Sequence, residues 1–467
     1  MKFPRRDFLK KSGMLAAAGF LPGSLSSFTT PNHQDVLKQN RTFVITNAFI
    51  ITMDPAIKDV TGDILVENGE IKAVGENVSL PEGISEIDGT HCIVMPGLID
   101  CHWHMWTSLL RSMSGETEQT GYFPMTARYS EFYTPQDMAI ATRYAAAEAL
   151  FSGITTVTDY NHNARGLDYV MAGCDALAEI GLRARVEYSG YRNRPPEKPT
   201  DFEGIREVLQ QLNNNEKYEL VRLGLGSRGA AYEQLDSDWR KARDFGMGIS
   251  IHASSNRNQI GQIMQLENRG LLDKDINIIH GNAITGEELD VVAKSGASIT
   301  MTPYSEMRIG YGLPPQNKLV HAGINTSLGI DTTALSGNAD FFSIMKVIQN
   351  LANAVAEDEF YLSSHQVLEM ATINGARTLG IDHLTGSLSP GKRADLIMLK
   401  RNDLNFSSGN REKNLVVEAS QPQNVALVAV DGRILKENGK LSGLDVKSIV
   451  NDAEKAFQRI HRDVNSQ

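Results

Sequence analysis

Between residues 96 and 385, short runs of apolar residues alternate with stretches whose apolar positions recur at helical spacing. Eight of the runs are apolar almost throughout, which is typical of parallel strands covered on both faces. They are MPGLIDCHWH (95–104), ITTVTDY (154–160), RARVEYS (183–189), LVRLGLGS (220–227), MGISIH (247–252), INIIH (276–280), ASITMT (297–302) and INTSLGID (324–331). Eight strands alternating with helices predict an α/β fold built as a (β/α)8 TIM barrel over residues 96–385. The pattern alone also allows nine strands or an open sheet.

The two flanks of this region have a different pattern, in which apolar and polar residues alternate and turn pairs interrupt the runs. Asn68-Gly69, Asp431-Gly432 and Asn438-Gly439 are dipeptides that favour tight hairpin turns. We therefore expect a small β-sandwich module built from residues 41–95 and 386–445, followed by a C-terminal helix at 446–467.

The first 30 residues have the layout of an export signal. Basic residues precede a weakly apolar run at 14–25 that is too short to span a membrane comfortably. The segment RRDFLK at 5–10 closely resembles the twin-arginine motif. We predict a twin-arginine-type signal peptide at 1–30, export to the periplasm by the twin-arginine machinery, and no membrane span after processing. A general secretory signal or a plain basic tail is the alternative, because no A-x-A cleavage site stands out before Pro31.

The composition excludes two classes of protein. The 467 residues include 46 Lys and Arg against 56 Asp and Glu, a net charge of −10, so binding to nucleic acid is not expected. Three cysteines are too few and too oddly numbered for a disulfide scaffold. The sequence leaves open whether the chain forms a homo-oligomer.

Five residues that can bind metal or transfer protons end the predicted strands: His102, His104, His252, His280 and Asp331. In a barrel of this kind the reactive groups lie at the carboxyl ends of the strands, on one face. Since side chains alternate along a strand, His102 and His104 point to the same side and can bind one ion. With His252 and Asp331 they form a nitrogen and oxygen set that suits zinc or iron(II). Each residue alone is more often an ordinary hydrogen-bonded residue, but five together favour a metal site.

The chain resembles the amidohydrolase superfamily, in particular the branch of cytosine and guanine deaminases and triazine hydrolases. The resemblance covers almost the whole chain after the predicted signal. It rests on GDILVENGEIKAVG in the N-terminal sheet, PGLIDCHWH at the first barrel strand, TPYSEMRIGYGLPP after the seventh, LGIDTT at the eighth, and MATINGARTLGIDHLTGSLSPGKRADLIML at the return to the sheet.

The resemblance implies a role for each strand-end residue. It implies that His102, His104, His252 and Asp331 bind one divalent ion, zinc or iron(II), which lowers the pKa of a bound water and makes it a nucleophile. Asp331 would also take a proton from that water, and His280 would polarise the substrate or the nucleophile. The fourth strand, LVRLGLGS, contains no lysine, so a carbamylated lysine that bridges two ions is not expected.

One position departs from the family pattern. Relatives in the deaminase branch carry a glutamate three residues after the strand-five histidine, where this chain has Ser255. A serine hydroxyl with an ordinary pKa cannot replace a carboxylate as general acid and base near pH 7. Glu306, after the seventh strand, is a candidate to carry the proton, with a surface position or a pair with Arg308 as the alternative.

Further candidates lie on the same predicted face. Arg228, after the fourth strand, is a candidate to bind an anionic group of the substrate, with a structural salt bridge as the alternative. Asp159 and His162 follow the second strand. The connection at 105–133 is long and rich in aromatic residues, among them Trp106, and such connections are usually lids or binding loops. We expect these aromatic residues either to contact a flat substrate or to anchor the loop.

Together these features predict a metal-dependent hydrolase that acts on carbon–nitrogen bonds other than peptide bonds, as an aminohydrolase of a small heterocyclic or amidine-like substrate. The nearest alternative is hydrolytic displacement of a halide or alkylamine from a similar ring. A halide leaves without protonation, which would make the absent glutamate less costly. A binding protein that has lost its catalytic acid is the alternative from another class of protein.

Overall fold

The computed structural model describes residues 33–38, 40–195 and 197–466. The predicted signal peptide at 1–30 lies outside the described residues, so that prediction stays untested. No helix in the described part of the chain combines the length and the apolar character that crossing a membrane requires.

The strands of the described chain belong to two sheets. In chain order they are β1 (Phe43–Ile50), β2 (Val60–Glu67), β3 (Glu70–Gly75), β4 (Glu86–Asp88), β5 (Cys92–Pro96), β6 (Leu98–Trp103), β7 (Ile154–Asn161), β8 (Arg183–Tyr188), β9 (Val221–Gly226), β10 (Ile249–Ala253), β11 (Ile276–His280), β12 (Ser298–Met301), β13 (Thr326–Leu328), β14 (Leu396–Lys400), β15 (Val425–Val430), β16 (Arg433–Glu437) and β17 (Lys440–Leu441). Strands β6 to β13 form one sheet, and the other nine form the second.

The eight strands β6 to β13 form a parallel barrel. Each is hydrogen-bonded to the next strand along the chain. The first and last strands meet at a bridge between Trp103 and Asp331, where the Asp331 amide donates to the His102 carbonyl at 2.8 Å. This bridge closes the ring, so the predicted (β/α)8 barrel is confirmed.

The second sheet combines strands from both ends of the chain, as the flanking patterns predict. Its order is β17-β16-β15-β14-β5-β1-β2-β3, with β4 paired to β1. The central pairing joins β5 to β14 in antiparallel register, so an N-terminal strand and a C-terminal strand lie side by side. The buried ion pair between Arg183 of β8 and Asp395, at 2.6 Å, attaches this module to the barrel.

Helices cover the outside of the barrel, and two of them begin at a capping box. Thr134 Oγ1 accepts a hydrogen bond from the Asp137 amide, and Thr285 Oγ1 accepts one from the Glu288 amide. The helices are α1 (His33–Leu37), α2 (Tyr122–Ser130), α3 (Pro135–Phe151), α4 (Leu167–Ile180), α5 (Phe202–Asn213), α6 (Leu235–Asp244), α7 (Gln262–Asn268), α8 (Gly286–Ser295), α9 (Pro303–Ile309), α10 (Gln316–His321), α11 (Thr333–Ser336), α12 (Phe341–Ala356), α13 (Ser364–Ala371), α14 (Ile373–Thr378), α15 (Glu412–Ala419) and α16 (Val446–Asn465).

The long connection after β6 folds into the short helix α2, and α16 packs against it. Tyr129 and Tyr133 are buried in a cluster that also contains Ile460 and Val464 of α16. The Tyr129 hydroxyl lies 2.6 Å from His461 Nδ1, and Arg128 donates to the Val464 carbonyl. The C-terminal helix therefore holds α2 in position over the carboxyl face of the barrel.

Candidate active site

The five strand-end residues predicted to carry chemistry meet at the carboxyl face of the barrel. His102 Nε2 lies 3.2 Å from His252 Nε2 and 3.4 Å from Asp331 Oδ1. His104 Nε2 lies 3.3 Å from the same carboxylate oxygen. The nitrogen atoms of His102, His252 and His280 also lie within 4.8 Å of one another. Residues from β6, β10, β11 and the end of β13 thus form one compact cluster.

The protonation states of the cluster suit metal binding. Burial lowers the pKa of His102, His104 and His252, so these imidazoles are neutral and each keeps a lone pair. Burial alone would raise the pKa of Asp331, but its hydrogen bond to His102 and the surrounding histidines outweigh burial and lower it. Three neutral imidazoles and one carboxylate are ligands that zinc and iron(II) accept. The donors present therefore fit a divalent ion.

The orientation of His104 is set by the neighbouring strand. Its Nδ1 lies 2.8 Å from the Tyr160 carbonyl of β7, and a carbonyl oxygen can only accept. The proton of the neutral ring therefore sits on Nδ1, and the lone pair of Nε2 faces Asp331. Such a hydrogen bond from the far ring nitrogen is the usual support of a metal-binding histidine.

Two residues of the cluster have unusual backbone conformations. His280 has φ of 75° and Asp331 has φ of 64°, in the left-handed region that residues with a side chain seldom adopt. Each such residue costs on the order of 1–3 kcal/mol and persists only where the surroundings enforce it. The strain directs both side chains towards the other ligands, and strain of this kind is concentrated at functional sites.

Asp100 connects the first and last strands beneath the cluster, a role that the sequence analysis missed. It is fully buried, and its two carboxylate oxygens accept the amides of His102 and Ile330, each at 2.9 Å. It thereby holds the strand segments that carry His102 and Asp331 at a constant separation. The signal in the sequence was a charged residue inside an apolar strand, two positions before His102.

Gly329 allows this close approach of the two strands. A Cβ atom at this position would lie 2.7 Å from the His102 carbonyl oxygen and 3.2 Å from the His102 Cβ. Both atoms belong to the strand that carries two of the ligands, so any side chain here would displace that strand.

Glu306 stands behind His280, away from the cavity. Its Oε1 lies 3.2 Å from His280 Nδ1 and accepts the Thr302 amide at 2.7 Å. Burial lowers the pKa of His280, but the hydrogen bond to Glu306 outweighs burial and raises it. Glu306 is fully buried and forms no ion pair with Arg308, which donates instead to the Ser114 carbonyl. Neither alternative predicted for Glu306, a surface position or an Arg308 pair, is therefore observed.

A cavity of about 260 Å³ opens above the cluster. Its walls include the aromatic rings of Tyr122, Phe123, Tyr160 and Tyr311, and its base includes His252, His280 and Asp331. The first two of these rings belong to α2, so part of the predicted aromatic lid reaches the cavity. A pocket of this size with flat aromatic walls suits a planar ring of the size of a nucleobase.

Ser255, where the family resemblance implies a glutamate, also lines this cavity. Its Oγ atom is buried and has no hydrogen-bond partner among the residues that the structure describes. Its amide donates to the Gln259 side chain at 3.1 Å, and Gln259 lines the cavity too. This side of the cavity therefore has uncharged polar groups where the family pattern has a carboxylate.

Two residues predicted to contact the substrate do not line the cavity. Arg228 donates to the Lys198 carbonyl at 2.6 Å, and its guanidinium carbon lies 4.1 Å from the centre of the Tyr232 ring. Trp106 is fully buried beneath α2, where its Nε1 donates to His162 Nδ1 at 3.1 Å. Trp106 therefore reaches the cavity only through His162, which lines it.

The cationic side chain at the cavity is Arg192, which the sequence analysis did not single out. It lies in the loop after β8 and lines the cavity, and its Nε atom is buried without a hydrogen-bond partner in the described chain. Its guanidinium carbon lies 5.4 Å from the ring centres of both Tyr122 and Phe123. No periodicity marks this loop, so the sequence pattern gave no reason to prefer Arg192 over its neighbours.

Asp159, the other candidate after the second strand, faces away from the cavity. It accepts the Met105 amide at 3.2 Å, and burial raises its pKa to about 7. Its second oxygen is buried without a partner among the described residues. It supports the start of the lid segment through the Met105 amide and does not belong to the cluster of strand-end residues.

Comparison with known proteins agrees with this geometry. The model of the amidohydrolase family matches residues 93–435, which is most of the chain. The chain belongs to the amidohydrolase family. It is a metal-dependent hydrolase that acts on carbon–nitrogen bonds other than peptide bonds, as its sequence predicts.

The relatives of this amidohydrolase match it over almost their full length. A 5'-deoxyadenosine deaminase of Methanosarcina barkeri is 27% identical over 91% of this chain and 99% of its own. A 5-methylthioadenosine/S-adenosylhomocysteine deaminase of Moorella thermoacetica is 28% identical over 86% of this chain and 95% of its own.

Solved structures share the fold of this amidohydrolase. A zinc-bound adenosine deaminase from Xanthomonas campestris has a TM-score of 0.79 at 21% identity, with 90% of this chain and 98% of that chain covered. A zinc complex of atrazine chlorohydrolase from Arthrobacter aurescens has a TM-score of 0.80 at 23% identity, with 89% and 100% covered.

We predict that Glu306→Gln lowers kcat by about tenfold or more, which corresponds to an increase of about 1.4 kcal/mol in the activation free energy. KM and metal content should remain unchanged. The amide keeps the size of the side chain but removes the charge that stabilises a protonated His280. Glu306 does not line the cavity, so substrate affinity should not change. Steady-state kinetics checks this, with the exposed Glu287→Gln on α8 as the matched control. A loss smaller than about tenfold would remove Glu306 from this role.

Proposed function

We propose that this amidohydrolase removes an exocyclic amino group, as ammonia, from a small planar nitrogen heterocycle. The observation that carries the proposal is the position of the metal-binding cluster at the base of a 260 Å³ cavity with aromatic walls. The named substrates of the relatives, 5'-deoxyadenosine and 5-methylthioadenosine, contain an aminated ring of this kind. Aromatic walls favour such a ring by stacking and exclude bulk water from it.

We further propose a single ion, held by His102, His104, His252 and Asp331. Zinc is favoured over iron(II) because zinc is bound in the structural relatives named above. The absence of lysine from β9 supports one ion, since no bridging carbamylated lysine is available there. When bound, the ion would polarise a water molecule so that it loses a proton near neutral pH.

The residues around the ion site divide the proton transfers between them. Asp331 is held ionised by the hydrogen bond to His102 and the charge of His280, so it takes the proton from the attacking water. His280, whose pKa the Glu306 carboxylate raises, donates a proton to the substrate or stabilises negative charge on it. Glu306 does not touch the substrate and acts by positioning and charging His280. Arg192 donates hydrogen bonds to the far edge of the ring or to an anionic substituent.

Ser255 gives a second candidate function specific support. An uncharged serine cannot deliver a proton to a ring nitrogen, so a leaving group that departs without protonation is less affected by the substitution. Hydrolytic displacement of halide from a similar ring meets this condition. The chlorohydrolase among the structural relatives shows that this fold can carry a dechlorinating activity.

The assay that tests the proposed function measures ammonia release from aminopyrimidines, aminopurines, aminotriazines and adenine nucleosides, with the chloro analogue of each ring assayed for halide. We expect ammonia from at least one class of amine, because the cavity accepts a planar ring beside the ion. Release of halide without release of ammonia would favour hydrolytic displacement of halide over deamination. If the zinc-loaded protein releases neither ammonia nor halide from any compound of the panel, a binding protein that has lost its catalytic acid would be favoured.

We also propose that the chain is exported to the periplasm in folded form by the twin-arginine machinery. The RRDFLK segment at 5–10 and the apolar run after it support this proposal. Folded export suits an enzyme that acquires its metal in the cytoplasm. Cell fractionation tests it: the full chain should reach the periplasm, and replacing Arg5 and Arg6 by lysine should retain it in the cytoplasm. Cytoplasmic retention of the unaltered chain would contradict the proposal.

A further inference from the structure

A second cavity lies at the face of the barrel opposite the metal-binding cluster. Its volume is about 540 Å³, larger than the cavity above the cluster. Its lining includes Val221 at the start of β9, Gly248 just before β10, and Lys274 and Asp275 just before β11. Residues 378–381, at the end of α14 and beyond it, form another wall. This cavity shares no lining residue with the one above the metal-binding cluster.

Arg185 of β8 presents a buried guanidinium to this cavity. It is 8% exposed and lines the cavity. Its Nη2 donates to Glu187 at 2.7 Å and to Ser250 Oγ at 3.0 Å. Within the described chain its Nε has no hydrogen-bond partner, and no hydrogen bond involves Nη1. Nε is buried, so the donor that a ligand in the cavity can reach is Nη1.

Gly248 makes room for this arginine. A Cβ atom at position 248 would lie 2.7 Å from Arg185 Nη1, so the guanidinium lies against bare backbone at the cavity wall. Gly224 on the neighbouring strand leaves room for the aliphatic part of the same side chain, because a Cβ atom there would lie 3.1 Å from Arg185 Cδ. Gly248 thereby leaves Nη1 of Arg185 at the cavity wall.

A second arginine lies beside the first. Arg185 and Arg222 are partners in the register of β8 and β9, so their side chains leave the same face of the sheet. Arg222 is exposed and lines the cavity, as does Lys274. In the part of the chain that the structure describes, neither forms an ion pair. Arg243, a further cation of the lining, is already neutralised by Asp275 at 2.8 Å.

The guanidinium of Arg185 is held in place from inside the barrel. Thr300 Oγ1 donates to Asn277 at 2.7 Å and lies 2.9 Å from Ser327 Oγ, which accepts from Thr378 Oγ1 at 3.1 Å. Asn277 in turn contacts Ser250, the partner of Arg185. Glu187 and Ser250 hold the guanidinium directly, and this chain of hydrogen bonds supports Ser250 from inside the barrel. A pre-positioned cation loses little conformational entropy on binding.

We propose that this cavity is a binding site for a small organic oxyanion. Its phosphate or carboxylate group would accept a hydrogen bond from Nη1 of Arg185, whose charge Glu187 already balances, and the net positive charge would come from Arg222 and Lys274. Guanidinium groups suit these anions because their paired donors match two anionic oxygens. The apolar body of the ligand would contact the remaining walls, which include Leu209, Leu212, Phe245 and Ile381. The site is independent of the reaction at the other face.

Calorimetric titration of the metal-loaded full chain tests this proposal with phenyl phosphate, benzoate and uncharged phenol at matched ionic strength. We expect saturable binding of one phenyl phosphate or one benzoate per chain, with phenol at least about tenfold weaker. Comparison of the two anions identifies which anionic group the site prefers. Equal affinity for phenol and both anions would overturn the proposal.

Variants assign the binding to this cavity. The double variant Arg222→Ala and Lys274→Ala removes only exposed side chains, so it should fold normally and weaken anion binding by about tenfold or more. Arg185→Lys keeps a positive charge beside Glu187 but removes the Nη1 donor at the cavity wall, and should weaken binding as well. The matched control is Arg240→Ala with Lys294→Ala, two exposed cations outside the cavity. Unchanged affinity in the first two variants, or an equal loss in the control, would overturn the proposal.

Discussion

The site depends on the closure of the barrel between its first and last strands. The Asp331 amide donates to the His102 carbonyl, and the carboxylate of Asp100 accepts one amide from each of the two strands. These bonds bring the carboxylate of Asp331 next to the imidazoles of His102 and His104. Without this closure the candidate metal ligands from the first and last strands of the barrel would not lie within reach of a common ion.

Closure alone would not make a metal site, since burial also has to leave the ligands in the correct protonation states. Desolvation lowers the pKa of His102, His104 and His252, while the hydrogen bond to His102 and the neighbouring His280 lower the pKa of Asp331. The strained backbone at His280 and Asp331 is the energetic cost of directing these side chains inwards. Electrostatics and backbone geometry therefore favour the same function.

The barrel and the meeting of its strand-end residues could be predicted from sequence because both follow from strand periodicity. Buried parallel strands are continuous apolar runs, and a polar residue at the end of such a run lies on the carboxyl face. The contacts of loop residues do not follow from periodicity. Arg228 and Arg192 lie in similar loops, and only the three-dimensional path of each loop brings Arg192 to the cavity and leaves Arg228 at the Lys198 carbonyl. Trp106 and Glu306 each contact a residue that lines the cavity but do not line it themselves. The spacing of residues along a strand does not distinguish these two positions.

The X-ray absorption spectrum of the zinc-loaded protein tests the central claim most directly, because it reports the ligands of the ion itself. A single site built from His102, His104, His252 and Asp331 predicts imidazole nitrogens and carboxylate oxygen at about 2.0–2.2 Å. It predicts no second metal at about 3.5–4 Å, and His102→Ala should lose the ion. A metal–metal distance in that range, a sulfur-rich ligand shell, or full zinc retention by His102→Ala would contradict the account.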